Sequence, residues 1–347
     1  MIAASSNTGQ LQPVSLRPRW QQALADAISD PVELCKILEL DPDQLLSPAL
    51  RASPFPLRVP RGFVRRMRRG DARDPLLLQI LPTDAENMRA DGFSLDPVGD
   101  LLSRSGTAVL HKYHGRALLV ATGACAVHCR YCFRRHFPYS EHSLLASEWQ
   151  AAIETIRADD SIREVILSGG DPLSLNDRRL TELTDALSSI GHVQRLRIHT
   201  RYPVVLPERV DAGLIKWLSG VRLQKIVVIH ANHANEIDQE VRDACRQLSA
   251  AGSTLLNQSV LLADINDSTP ALVALSEALM SCGVMPYYLH LLDRVQGAAH
   301  FEVNEGAALR LHAELLAQLP GYLVPRLVRE IPGAASKTPV TFAAQRY

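Results

Sequence analysis

The feature that most constrains the fold is a repeat of short apolar or β-branched runs, each followed by a segment with a helical pattern. Five of these runs begin at residues 164, 195, 225, 254 and 286, so successive starts lie 31, 30, 29 and 32 residues apart. A strand, a helix and two loops together take about 30 residues. With an earlier run at Arg116–Ala121, the pattern predicts six consecutive βα units with parallel strands. Periodicity alone leaves a doubly wound sheet and a barrel as alternatives.

The predicted elements alternate strictly along the chain. The strands are Arg116–Ala121, Glu164–Leu167, Arg195–Ile198, Lys225–Ile229, Thr254–Leu256 and Pro286–Leu289. The helices between them are Ser147–Ala158, Asp177–Ile190, Glu208–Leu218, Glu236–Ala251 and Pro270–Ser281. An α/β class follows from this alternation.

Polar or reactive side chains follow every predicted strand. They are a cysteine-containing loop, then Ser168–Asp171, His199–Arg201, His230, Asn257–Gln258 and His290–Asp293. The carboxyl ends of parallel strands meet at one face, where α/β proteins build their active sites. Strand ends are also polar simply because loops begin there, but reactive groups at all six ends favour a functional site.

The first hundred residues have a different character. Helical patterns at Trp20–Ile28 and Val32–Leu40 precede a stretch rich in proline and arginine, Pro54–Pro82, with seven arginines from Arg58 to Arg73. This stretch is either a contact patch for RNA or protein, or a solvated face that packs an extension against the main domain; the second is the commoner use of a charge run. We predict a mainly helical extension over residues 1–105 and a main domain over residues 106–347.

Composition excludes several classes of protein. The 347 residues are 46% hydrophobic and 21% charged, which fits a globular core rather than a disordered or fibrous chain. Basic and acidic residues both number 37, so no overall field favours nucleic acid or an anionic membrane. The charge-free stretch Ala117–Val127 is too short for a membrane crossing, and the start MIAASSNTGQLQ lacks the features of a signal peptide. We therefore expect a cytoplasmic protein.

Three of the six cysteines fall within eight residues, Cys125, Cys129 and Cys132, while the other three are isolated. In a reducing compartment such a group indicates a metal or redox site rather than disulfides. Zinc with His128 or His136 as a fourth ligand is one alternative. An iron–sulfur cubane held by three thiolates is the other, and it leaves one iron without a protein ligand, open to a substrate.

The spacing CxxxCxxC on a loop after the first βα strand resembles the radical S-adenosylmethionine (SAM) superfamily. The resemblance implies a [4Fe-4S] cluster on Cys125, Cys129 and Cys132, whose open iron binds SAM. Electron transfer from the cluster then cleaves SAM to a 5′-deoxyadenosyl radical. Tyr131 occupies the usual aromatic position before the last cysteine. The stretch Ser168, Gly169, Gly170 and Asp171 is similar to the glycine-rich segment beside the SAM amino group.

A lysine near the C-terminus, Lys337, follows the small residues PGAAS. Small residues let backbone approach a bulky cofactor, so this lysine suits a Schiff base with pyridoxal 5′-phosphate (PLP). From Lys112 to Lys337 the chain resembles lysine 2,3-aminomutases throughout, in the segments CRYCFRRHFP, ILSGGDPL, HANHANEI, NQSVLL, PYYLHLLDRVQGAAHF and PGAASKTPV. This resemblance implies a partial (β/α)6 TIM-like barrel with SAM, the cluster and PLP inside. It also implies an isomerase that converts (S)-α-lysine into (R)-β-lysine.

The same resemblance implies roles for individual residues. Lys337 matches the PLP lysine, Arg134 the arginine for the substrate carboxylate, and Asp293 and Glu330 the two carboxylates for the distal ammonium. The family has an aspartate where Glu330 stands, so the side chain here is one methylene longer. Further cofactor-binding positions are Lys112, Tyr113 and Arg116 near the PLP phosphate, and His230, Asn257 and Gln258 facing SAM or PLP. The family commonly has arginine at position 112.

Within the family, the segments CFRRHFPY, RVQGAAHF and LVPRLVREIP resemble the enzymes that make β-lysine for elongation factor P. Lysine-catabolic members carry a cysteine-rich C-terminal extension, whereas this sequence runs to Tyr347. The expected partners are L-lysine, a flavodoxin or ferredoxin reductant, and elongation factor P with its lysyl-tRNA-synthetase-like ligase. A catabolic aminomutase, a radical SAM enzyme acting on another amino acid, RNA or protein, and a zinc-stabilised binding module remain alternatives.

Overall fold

The computed structural model describes residues 17–50, 55–101, 104–105, 109–139 and 146–342. One ten-stranded sheet organises them, and neighbouring strands in the sheet are neighbours in the chain. The strands are β1 Arg104–Ser105, β2 Val109–Tyr113, β3 Arg116–Thr122, β4 Glu164–Gly169, β5 Arg195–Thr200, β6 Gln224–Ile229, β7 Ser253–Val260, β8 Met285–His290, β9 Arg326–Arg329 and β10 Thr338–Pro339. The segment MIAASSNTGQLQ lies outside the described residues.

The seven central strands, β3 to β9, are all parallel. At the two edges β2 pairs antiparallel with β3, and β10 with β9. A doubly wound sheet reverses its strand order at a switch point, and this order never reverses. Among the described residues no ladder joins the first strand to the last, so the α/β fold is a partial TIM-like barrel, as predicted.

Eleven α-helices occur in the described residues: α1 Arg19–Ala25, α2 Pro31–Ile37, α3 Pro42–Leu45, α4 Arg61–Val64, α5 Ala146–Ala158, α6 Asp177–Ser188, α7 Tyr202–Val205, α8 Ala212–Gly220, α9 Gln239–Ala250, α10 Thr269–Met280 and α11 Glu305–Gln318. Six of them, α5, α6, α8, α9, α10 and α11, connect the parallel strands. The six predicted βα units are confirmed, and β9 follows them as a seventh parallel strand that the sequence pattern did not predict.

Sequence-local signals fix where these connecting helices start. Asn176, Asp211, Asp238 and Asn304 each cap a helix by accepting a hydrogen bond from a first-turn backbone N–H. Along α9 the buried side chains recur three or four positions apart and face the sheet. The isolated cysteines Cys35, Cys245 and Cys282 are buried, as expected of small apolar side chains.

The N-terminal segment packs into the same core as the barrel. Trp20, Leu34 and Phe63 belong to one buried cluster with barrel residues such as Leu167. In the arginine-rich stretch, the side chain of Arg66 is buried and donates to the Asp238 carboxylate at 2.6 Å and to the Glu236 carbonyl at 3.0 Å. This contact favours packing of the extension against the main domain over a free patch for RNA or protein.

The division proposed between residues 105 and 106 falls beside β1, which pairs with β2 on its other side. Residues 106–108 lie outside the described residues, so the boundary stays a prediction. Among the described helices, none combines the length and apolar character that a membrane crossing requires.

Candidate functional site

The three clustered cysteines lie on the loop after β3, at the carboxyl end of the barrel strands. All three are free and partly buried. Burial, and then the neighbouring Cys129 thiol, raises the pKa of Cys132 to about 11. Burial, Asp171 and the other two thiols also raise the pKa of Cys125. The thiols therefore share one small space, although among the described residues no three acidic, His or Cys side chains form the ligand set of a single metal ion.

The N-terminal segment holds this cysteine loop in place. The Arg130 backbone N–H donates to the Gln79 carbonyl at 2.9 Å. The fully buried Arg130 side chain reaches the Glu86 carboxylate and the Phe55 carbonyl, and its Nε–Oε1 distance to Glu86 is 2.8 Å. Arg135 pairs with the same carboxylate at 2.6 Å. Burial alone would raise the pKa of Glu86, but the two guanidinium groups lower it.

The glycine pair after β4 lies against the start of the cysteine loop. Gly169 has a φ of +115°, and the Gly170 N–H donates to the Thr122 carbonyl at 2.7 Å. A Cβ at Gly170 would lie 2.6 Å from the Ala124 carbonyl oxygen. Two glycines are therefore required here, because any side chain would push the cysteine loop away.

Asp171 ends the same turn and is buried. Its carboxylate accepts hydrogen bonds from Thr200 Oγ1 at 2.7 Å and from the backbone N–H of Arg201 at 2.6 Å and of Leu173 at 3.0 Å. Burial raises the pKa of Asp171 to about 6, against the opposing effect of these donors. The carboxylate thus ties together the loops after β4 and β5.

Inside the barrel, Arg134 and Lys112 share one buried carboxylate, Asp100. Arg134 Nε donates to Asp100 at 2.7 Å, and Lys112 Nζ lies 2.5 Å from its other oxygen. Arg134 Nη1 donates to Ser168 Oγ at 3.1 Å, so the described residues leave Nη2 for a ligand. Burial opposes ionisation of Asp100, but Arg134 and Lys112 lower its pKa. Sequence analysis missed Asp100, since a lone aspartate in PVGDL carries no spacing signal.

Glu330 is the corresponding link between Lys337 and Tyr113. Lys337 Nζ donates to Glu330 Oε2 at 2.9 Å, and the Tyr113 hydroxyl donates to Oε1 at 2.5 Å. Burial alone would raise the pKa of Glu330, but Lys337, Tyr113 and Lys112 lower it. The carboxylate is therefore ionised, and it holds the lysine in the barrel.

Asp293 is the third carboxylate of this interior. Its surroundings raise its pKa, whereas those of Asp100 and Glu330 lower theirs. Loss of solvent raises its pKa to about 7, with Lys337 opposing the shift and Glu330 adding to it. Near neutral pH the protonated and ionised forms of Asp293 are both populated. A bound cation would shift this equilibrium fully to the ionised form.

Three histidines, His199, His230 and His290, lie close enough to Lys337 for its charge to act on them; His290 is buried and the other two are half-buried. The Nε2 atom of each has no hydrogen-bond partner among the described residues. Burial, then neighbouring positive charges, lowers the pKa of His230 to about 3 and the pKa of His199 and His290 well below its usual value. Lys337 Nζ also lies 5.8 Å from the Tyr288 ring centroid. Neutral imidazoles with unused ring nitrogens fit a bulky polar ligand such as a pyridine cofactor.

Arg116, another predicted cofactor-binding residue, lies at the amino end of β3, whereas the cysteine loop follows the carboxyl end of the same strand. Arg116 stacks over the Tyr113 ring at 5.2 Å and lines a cavity of about 510 Å³ at the amino ends of the strands. Arg163, Arg195 and Arg197 also line it, together with the Glu164 carboxylate, which pairs with the last two. Such a guanidinium-lined cavity suits a phosphate group.

The two remaining predicted positions, Asn257 and Gln258, lie within β7, which extends beyond the predicted strand. Asn257 is buried, accepts from the Ala231 N–H at 2.9 Å and donates to the Ala231 carbonyl at 3.1 Å, so it braces β7 against β6. Gln258 pairs in register with Tyr288 of β8.

Comparison with known proteins agrees with this geometry. The family model described as the radical SAM superfamily matches residues 119–271. The chain is 49% identical over 325 residues to the L-lysine 2,3-aminomutase of Escherichia coli, covering 93% of this chain and 95% of that protein. It is 47% identical to the enzyme of the same name from Haemophilus influenzae, covering 92% and 94%. It is 32% identical to that of Clostridium subterminale, covering 92% and 77%.

Radical SAM proteins use a [4Fe-4S] cluster and SAM, and lysine 2,3-aminomutases depend in addition on PLP. The three thiols, the lysine among unpartnered imidazoles and the guanidinium-lined cavity fit these groups. With almost half of its residues identical to the first two of these relatives over nearly its whole length, the chain belongs to the lysine 2,3-aminomutase family, isomerases of the radical SAM superfamily.

Proposed function

We propose that this chain converts (S)-α-lysine into (R)-β-lysine by moving the amino group from C2 to C3. The observation that carries the proposal is the interior ion-pair set. Arg134 pairs with Asp100 and Lys337 pairs with Glu330. Lys112 links the two pairs, with its Nζ 2.5 Å from Asp100 and 4.0 Å from Glu330. A zwitterionic diamine needs one cationic contact for its carboxylate and anionic contacts for its distal ammonium. This interior supplies both.

Different residues of the chain would bind the different cofactors. Cys125, Cys129 and Cys132 would hold the cluster, Lys337 would hold PLP, and Arg116 would hold its phosphate. When bound, the cluster and SAM supply a radical that abstracts hydrogen, and PLP supplies the π system through which nitrogen migrates. The close approach of Gly169 and Gly170 to the cysteine loop keeps the SAM side of the site compact.

Substrate orientation falls to three charged residues. The Nη2 group of Arg134 would donate to the lysine carboxylate, because Nε and Nη1 already bind Asp100 and Ser168 and hold the guanidinium in place. Asp293 and Glu330 would bind the distal ammonium, and that cation would keep Asp293 ionised. Glu330 already accepts hydrogen bonds from both Tyr113 and Lys337.

Exclusion of water is the remaining task of the protein. The Nε2 atoms of His199, His230 and His290 are buried, and lowered pKa values keep the three imidazoles neutral, so they line the site without adding charge. A dry interior strengthens each ion pair and protects a reactive radical from side reactions.

The test is a product assay under anaerobic conditions. The purified chain is reconstituted with iron and sulfide and incubated with SAM, PLP, dithionite and L-lysine, and the amino acids are separated by chiral chromatography. We expect (R)-β-lysine, and none from Cys129→Ala. Deoxyadenosine without β-lysine would retain radical SAM chemistry and reject free lysine as the substrate.

The product has a proposed destination, the modification of elongation factor P by its lysyl-tRNA-synthetase-like ligase in the cytoplasm. The similarity of CFRRHFPY and RVQGAAHF to the enzymes of that pathway supports it, and a flavodoxin or ferredoxin would supply electrons. Three unpaired thiols also suit a reducing compartment. The mass of elongation factor P from cells lacking this chain should fall by one β-lysyl group; an unchanged mass would exclude the link.

A further inference from the structure

One buried arginine contacts a cysteine of the loop, and neither the predicted chemistry nor the predicted cofactor sites include it. Arg201 follows β5, is 6% exposed, and its Nη1 donates to Cys129 Sγ at 2.7 Å. The guanidinium group lies over the rings of Phe63 and Tyr131, with its carbon 5.7 Å from each ring centroid. The positive charge therefore lies beside the sulfur and away from water.

Two acceptors fix the other side of this guanidinium. Arg201 Nη2 donates to Gln79 Oε1 at 2.6 Å and to Glu236 Oε2 at 3.0 Å. Glu236 is fully buried, and its second oxygen accepts from the Asn232 N–H at 2.8 Å and from Gln79 Nε2 at 3.2 Å. The arginine is thus held by the N-terminal segment on one side and by the loop after β6 on the other.

A charge and a hydrogen bond at a ligand sulfur act on the reduction potential of an iron–sulfur cluster. Reduction adds one electron to the cluster, so a nearby positive charge stabilises the reduced form and a nearby negative charge destabilises it. Both effects are strong in a buried site because little water screens them.

We propose that Arg201 is a positioning residue that raises the reduction potential of the cluster through Cys129, with Glu236 as the opposing charge. This inference rests on the proposed function, since it takes Cys129 as a cluster ligand. It assigns the N-terminal segment, through Gln79, a part in setting the redox properties of the site.

The test is an anaerobic redox titration of the reconstituted holoprotein without SAM, PLP or lysine, followed by the electron paramagnetic resonance of the reduced cluster. For Arg201→Gln we expect at least a tenfold lower equilibrium constant for one-electron reduction, which corresponds to about 59 mV. For Glu236→Gln we expect a shift in the opposite direction. Arg201→Lys keeps the positive charge, so its reduction potential should lie between that of Arg201→Gln and that of the wild type.

The two opposite shifts separate an electrostatic role from a structural one, because a disordered loop would move both variants the same way. Arg209→Gln is the matched control. Arg209 is also fully buried, but it binds the Leu173 carbonyl and Asp177. The reduction potential of the cluster in this variant should stay at the wild-type value. Shifts of the same sign, or no shift in Arg201→Gln at full iron content, would overturn the inference.

The outcomes also distinguish this inference from the proposed function. The potentials are measured without substrate, so a failure to form β-lysine would leave the predicted shifts in place. A wild-type chain that assembles no cluster would overturn both.

Discussion

Three carboxylates of the barrel interior differ in their surroundings, and the differences separate their roles. Asp100 and Glu330 each contact two donors that keep them ionised. Asp293 is left with its pKa raised to about 7. Asp100 and Glu330 are therefore anionic before the substrate arrives, whereas Asp293 becomes fully ionised only with a cation that arrives with the substrate.

A pH profile tests this role of Asp293. Binding of the lysine ammonium requires the ionised carboxylate, so kcat/KM for lysine should rise as the pH increases through about 7 in the free enzyme. Asp293→Asn should remove this rise and lower kcat/KM by roughly tenfold to a hundredfold, because a hydrogen bond to a charged group contributes about 1.5–3 kcal/mol. Steady-state kinetics from pH 6 to about 9 would measure both effects.

The exposed Asp267→Asn is the control, and its profile should match the wild type. An unchanged rise with the same midpoint in Asp293→Asn would assign the titration to another group.

The sequence predicted site residues that belong to a recognisable motif, and it missed Asp100, which does not. The spacing of the cysteines and the resemblance around Lys337 identified those side chains in advance. Asp100 could not be predicted, because its role depends on Arg134 and Lys112, which only the fold brings to the same carboxylate.

Among the elements, the turn after β4 and the loop after β3 act as one unit. Backbone hydrogen bonds join Gly170 to Thr122 and Asp171 to Ala124. The glycine pair and the cysteine loop, one βα unit apart in the sequence, are therefore in direct contact. The spacing of the strands predicted only that they would lie near each other. β9 was missed because RLVR is a short run that lies close to prolines on both sides, Pro325 and Pro332.

Gly170→Ala tests this contact. The added Cβ would lie 2.6 Å from the Ala124 oxygen and 2.7 Å from the Gly123 carbonyl carbon, so the cysteine loop must move. We expect a loss of about 1–3 kcal/mol in the free energy of unfolding, as for other overpacked sites, and reduced iron content after reconstitution.

Gly191→Ala is the matched control, since nothing lies within 4 Å of its added Cβ. Full iron content in Gly170→Ala would show that the glycine pair does not set the position of the cysteine loop.

Across the whole molecule, the N-terminal segment and the barrel form one body around the site. Trp20 is buried, its ring centroid lies 6.3 Å from that of Tyr202, and the Arg209 guanidinium carbon lies 4.6 Å above its ring. The sequence predicted an extension that packs against the main domain, but the residues of the shared core depend on long-range packing that local patterns do not encode.

Trp20→Ala should therefore destabilise the entire chain. We expect one cooperative unfolding transition with the free energy of unfolding lowered by about 3–5 kcal/mol, the usual cost of truncating a buried aromatic. Chemical denaturation followed by circular dichroism would measure it. Leu316→Ala, at a 57% exposed position, should cost about 0.5 kcal/mol or less. A separate early transition in Trp20→Ala, with the barrel unaffected, would instead make the extension an independent unit.

The most direct test of the central claim follows the migrating nitrogen. The reconstituted chain is incubated with SAM, PLP, dithionite and L-lysine labelled with ¹⁵N on the α-amino group, and the product is examined by nuclear magnetic resonance. An intramolecular 2,3-aminomutase predicts ¹⁵N bonded to C3 of β-lysine, with no loss of label to unlabelled ammonium in the buffer. Label that stays on C2 while deoxyadenosine accumulates would contradict the proposed reaction.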